Sequence, residues 1–146
     1  MALVIDATVE IDAPAERVWQ VLTDFARYGE WNPFCVEASS SLELGSPIDM
    51  RVDLGGKELR KQREYIASCT PGVEFSYRMR PVPLGALSSL RSHTLIGLPN
   101  GRCRYESRFR VSGWLSPIVA RSYGEALRKG FAGMTDAVVK RACEGI

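Results

Sequence analysis

The chain has 146 residues, 45% of them hydrophobic and 25% charged, with a formal net charge of +2. That length suits one domain with a sizeable core, spanning 1–146, and the charge is too small to imply a nucleic-acid partner. No run approaches the roughly 18 apolar residues of a membrane span, so no stable membrane insertion is expected.

There is no internal repeat, low-complexity tract or long linker. Cys35, Cys69, Cys103 and Cys143 are widely spaced and form no CxxC pair, which reads as reduced thiols in a cytoplasmic protein. His93 is the only histidine. A zinc site or a two-histidine iron site is therefore disfavoured, and neither metal nor cofactor is expected. Nothing in the sequence specifies an oligomeric state.

Residues 3–12 alternate apolar and polar side chains and predict a half-buried strand. With acidic residues and no basic start, this segment reads as a strand and not as a signal peptide. Pro14 then sits where a first helical turn begins, and Val18, Leu22 and Phe25 recur on one helical face. Gly29 breaks that pattern, and Asn32-Pro33 returns the chain to extended geometry beside Tyr28, Trp31 and Phe34.

Alternation continues over 34–44 and 48–54, with Ile48, Met50, Val52 and Leu54 on one face. Gly55-Gly56 predicts a tight hairpin into a strand at 58–69, whose mixed polarity assigns no clear faces. Pro71-Gly72 turns the chain into a strand at 73–80, with Val73, Phe75, Tyr77 and Met79 together. Residues 90–98 and 102–112 flank Pro99-Asn100-Gly101, which suits a type I turn with a bulge. In that register Leu98 meets Arg102, Gly97 meets Cys103, Leu95 meets Tyr105 and His93 meets Ser107. Cys103, Tyr105, Ser107, Phe109 and Val111 then share the inner face. Arg102, Arg104, Glu106, Arg108 and Arg110 share the wet one, a basic exterior that reads as a solvated face.

After Gly113 the period becomes helical. Ser116 reads as an N-cap and Pro117 as the first helical residue, and an apolar face runs from Val119 through Tyr123, Leu127, Phe131, Met134 and Val138 to about Cys143. The glycines inside this helix permit close approach of a neighbour.

The stretch from Ile11 to Phe34, IDAPAERVWQVLTDFARYGEWNPF, together with the closing GWLSP and GFAGMTDAVVKRACE, resembles the START/polyketide-cyclase-like (SRPBCC) superfamily, the helix-grip proteins related to Bet v 1. The resemblance implies an α+β fold. A curved seven-stranded antiparallel sheet wraps around the long C-terminal helix, with two short helices between strands 1 and 2. It also implies a cavity between sheet and helix for a small hydrophobic ligand: a lipid, a quinone, an aromatic or a polyketide-like molecule.

The inward set Met50, Tyr77, His93, Leu95, Tyr105, Ser107, Phe109, Tyr123, Leu127 and Phe131 has the apolar walls and few polar groups of such a site. In this family Trp31 and Phe34 would lie near its opening, and the apolar segment 81–89 reads as a lid or a connector. Binding or transport of the ligand is the favoured function. The alternative is a polyketide cyclase, aromatase or dehydratase with His93 as the candidate acid or base. The sequence offers His93 no inward carboxylate. A Ser–His nucleophile is rejected because no nucleophile elbow accompanies the pair. A weaker third reading is a protein-interaction module of the chaperone-activator kind.

Overall fold

A computed structural model describes residues 3–144. Strand β1 (Leu3–Ile11) runs into helix α1 (Ala15–Thr23), a 3-10 turn (Phe25–Arg27) and the short helix α2 (Tyr28–Trp31). Strands β2 (Cys35–Ser40), β3 (Pro47–Val52), β4 (Arg60–Thr70), β5 (Glu74–Arg78), β6 (Ser88–Gly97) and β7 (Cys103–Ser112) follow, then helix α3 (Ser116–Cys143). All strands belong to one antiparallel sheet in the order β1-β7-β6-β5-β4-β3-β2. This is a helix-grip fold. Each hairpin adds a strand beside the last, and β1 closes against β7. The sheet therefore has one inner face to cover, and the helices cover it.

The β6–β7 register is the one the loop spacing predicts: His93 opposite Ser107, Leu95 opposite Tyr105, Gly97 opposite Cys103. The Leu98 amide donates to the Arg102 carbonyl at 2.8 Å. The turn itself differs from the expected type I. Asn100 has φ 66° and ψ 28°, so it takes the left-handed region that a type I turn leaves to the following residue.

Other boundaries move for local reasons. The second strand stops at Ser40, because Leu42 has φ 62° and the Ser40 and Ser41 hydroxyls accept from the Leu42 and Glu43 amides. The Gly55-Gly56 hairpin is not tight: residues 53–59 form a longer loop, begun by the Asp53 carboxylate accepting from the Gly55 amide at 2.8 Å. Helix α3 starts at Ser116 itself, with Leu115 in the flanking position.

Helix α3 is used unevenly along its length. In its C-terminal half Phe131, Met134, Val138 and Ala142 are buried, and the helix packs on α1 and β1. Gly130 allows this seating. A Cβ there would meet the Phe34 ring at 2.2 Å. The N-terminal half stands off the sheet. The segment 81–87 is tied to its start, with the Leu115 amide donating to the Ala86 carbonyl at 2.9 Å and the Trp114 indole to the Leu84 carbonyl at 3.1 Å.

Candidate functional site

Two environments divide the inner face of the sheet. The first is solid. Phe75 is fully buried and stacks on His93 with ring centroids 4.7 Å apart, while Trp19 from α1 and Phe25 from the 3-10 turn meet it edge-on. His93 Nδ1 lies 2.6 Å from the Tyr105 hydroxyl. Burial, and then the Arg91 charge, hold His93 well below its ordinary pKa, so the imidazole is neutral at physiological pH. Leu95 and Tyr105 are buried in the same layer.

The second environment is open. A cavity of about 250 Å³ lies between the sheet and the N-terminal half of α3. Of the residues expected at a ligand site, Phe34, Met50, Tyr77, Phe109, Tyr123, Leu127 and Phe131 line it. His93, Leu95, Tyr105 and Ser107 do not: they sit in or beside the packed layer. Trp31 lies elsewhere, against the Tyr28 ring and beside a surface hollow with Arg27 and Arg141. Phe131 anchors the cavity wall, with Phe34 and Phe109 each 4.9 Å from its centroid. Tyr123 is 38% exposed, which puts it at the opening, where the Arg60 guanidinium carbon stands 4.9 Å above its ring. Leu87 from the segment after β5 also lines the space.

Four charged residues line this cavity without having been expected there: Arg60, Arg63, Glu64 and Arg91, of which Arg91 and Glu64 lie deepest. Arg91 is 2% exposed. Its Nη1 donates to Ser107 Oγ at 2.6 Å and to the Arg108 carbonyl at 3.3 Å, and its guanidinium carbon lies 4.5 Å from the Phe131 centroid. Among the described residues no carboxylate comes within 4.0 Å of it. The signal was present: the register that turns His93 inward turns Arg91 inward two residues earlier.

Glu64 stands across the cavity on β4. Its Oε1 is buried without a hydrogen-bond partner. Burial raises its pKa to about 7, against the opposing pull of Arg91. Its strand gave no clear signal, because polar residues occupy both faces of residues 60–65. Cys35 is coupled to the same charges. Burial is the largest cause of its rise to about 12, so it stays a thiol.

Among the described residues no three His, Cys, Asp or Glu side chains form a group that could hold a metal ion. Among the described residues no helix is long and apolar enough to cross a membrane.

A curved sheet gripping a helix, with a walled cavity between them, defines the helix-grip, ligand-cavity class of protein. The family model described as "Polyketide cyclase / dehydrase and lipid transport" matches residues 2–142, and the chain belongs to that family. Solved structures agree on the fold. The Zhui aromatase/cyclase from Streptomyces sp. R1128 superposes with a TM-score of 0.76 at 20% identity, covering 97% of this chain and 94% of that one. A START superfamily protein from Mycobacterium smegmatis gives 0.72 at 17% identity, covering 98% and 99%. A truncated norcoclaurine synthase from Thalictrum flavum gives 0.70 at 17%, covering 96% and 92%. A comparison with curated proteins found no match.

Proposed function

We propose that this protein binds, and in that sense carries, a small hydrophobic ligand of aromatic, quinone, short lipid or polyketide-like character. The supporting observation is the cavity of about 250 Å³ walled by Phe34, Met50, Phe109, Leu127 and Phe131, open beside Tyr123. Apolar walls with a small number of polar groups are how a preformed ligand site is built. The family's description, which joins cyclases, dehydrases and lipid transport, is consistent with that reading. The neutral apolar probe N-phenyl-1-naphthylamine should bind with a fluorescence gain. Leu127→Trp fills the space and should abolish the gain while far-UV circular dichroism and cooperative unfolding are retained. Undiminished binding in that folded variant would place the site elsewhere.

The second reading, a cyclase or dehydratase, is favoured by one observation: Glu64 titrates near neutral pH inside the cavity, as a general acid or base must. His93 is less suited to the role, because it is packed away and held neutral. Turnover of a polyketide-like substrate that falls roughly 100- to 10,000-fold in Glu64→Gln but little in His93→Gln would establish the enzyme.

A further inference from the structure

We propose that the cavity selects amphipathic ligands with an acidic head, whose carboxylate sits between Arg91 and a protonated Glu64, and that binding takes up a proton from solvent. The proposal rests on the cavity being the ligand site and names the ligand class it accepts.

Three observations converge. Arg91 is a buried cation with no carboxylate within 4.0 Å among the described residues, and an unpaired buried charge is costly. Its donors are weakly used: Nη1 serves Ser107 and backbone carbonyls, Nη2 reaches the Met134 sulfur at 4.0 Å, and the guanidinium also acts on the nearby Tyr105 hydroxyl. Across the same cavity Glu64 has a buried oxygen with no partner. Two incompletely bonded polar groups therefore face one apolar space without touching each other. A ligand carboxylate accepts two parallel hydrogen bonds from a guanidinium and completes its donors. A protonated Glu64 would then donate to that carboxylate, which also uses the orphan position.

Repulsion between carboxylates drives the proton coupling. With Glu64 ionised, an entering carboxylate would face a second carboxylate across the cavity. With Glu64 protonated, the anion neutralises Arg91. The other titratable groups around Glu64 do not compete. Cys35 on β2 and Tyr77 on β5 are kept protonated by burial. Arg63, on the same strand, is engaged by Asp49 at 2.7 Å. Arg60 and Tyr123 stack at the opening, where the cation favours an approaching anion.

The test compares 2-naphthoate with 2-naphthamide, a charged and a neutral ligand of nearly one shape, by isothermal titration calorimetry. In the wild-type protein the carboxylate should bind at least about tenfold more tightly at pH 6. It should weaken by about tenfold between pH 6 and pH 8, while the amide does not change. Runs in two buffers of different ionisation enthalpy at pH 7.5 should read uptake of roughly one half to one proton. Glu64→Gln should remove both the pH dependence and the uptake while keeping the preference for the carboxylate. Arg91→Gln should lose the preference, and Arg91→Lys should restore part of it. Equal affinity for the two ligands in the wild type, or binding of the carboxylate without proton uptake, overturns the proposal, and neither result depends on an Arg91 variant folding. If the amide binds as well as the acid and Leu127→Trp blocks it, the cavity reading stands and only the acid-selective site fails. If neither ligand binds, both fall.

Discussion

His93 and Arg91 are two residues apart on one strand, face the same way and live in different environments. Phe75, Tyr77 and Tyr105 surround His93, and Trp19 and Phe25 of the first helical excursion close over Phe75. Arg91 borders the open cavity between the sheet and α3, at its Phe131 end. A single sheet face is thus partitioned by what covers it. Where α1 and the C-terminal half of α3 press down, polar groups are satisfied within the protein. Where only the N-terminal half of α3 stands above, they are left for something else to satisfy. The two ends should therefore respond differently to the same kind of change.

The largest contrast is in truncation. Phe75→Ala removes a fully buried ring at the packed end and should cost about 3 to 5 kcal/mol in urea unfolding. Its effect on ligand binding should be small. Phe131→Ala, whose ring borders existing space, should cost less stability and far more affinity. Equal stability losses at the two ends would break the comparison.

Gly130→Ala is next. The new Cβ would sit 2.2 Å from the Phe34 ring, between α3 and the cavity wall. Overpacking of this kind should cost about 1 to 3 kcal/mol. Because Phe34 lines the cavity, probe affinity should fall as well; unchanged melting and binding would show that Phe34 has room to move.

The smallest effects sharpen the comparison through pH. His93 is held below its ordinary pKa in the folded state, so the unfolded chain binds the extra proton first as pH falls through about 6.5. Its contribution to stability is present above that pH and lost below it. Glu64 acts in the opposite sense. Its folded pKa of about 7 exceeds the unfolded value of 4.5, so the folded state holds the extra proton between them, and stability falls as pH rises through that window. Glu64→Gln should therefore stabilise the protein relative to wild type above pH 7, by roughly 1 to 3 kcal/mol after allowance for partial exposure. His93→Gln should flatten the loss on the acid side. Denaturant midpoints measured from pH 5 to 8 in both variants check the signs. Matching shifts in the same direction would refute the assignment of opposite environments.

Much of the fold is readable without coordinates because its signals are local. Alternation marks the strands, Pro14 and Pro117 mark helix starts, and a loop of three residues sets the β6–β7 register by chain geometry alone. That register already contains Arg91 as an inward residue. A buried arginine is overlooked because a charge normally marks the wet face. Glu64 was not readable in the same way. Residues 60–65 are polar on both faces, and a period of two carries no information when both phases are alike.

What the sequence determines by itself is the order of elements, their antiparallel connection and the pairing of side chains across the best-defined hairpin, all consequences of short-range geometry. What only the tertiary structure decides is where the interior is filled and where it is left open. Trp31 turns out to a surface hollow, Trp19 and Phe25 cap Phe75 beside His93, and Gly130 lets the C-terminal half of α3 seat against Phe34 while Tyr123, two turns earlier, stands at an opening. Those outcomes depend on the angle at which helices far apart in sequence meet one curved sheet. That angle is set by the sum of many contacts, and no local pattern encodes it.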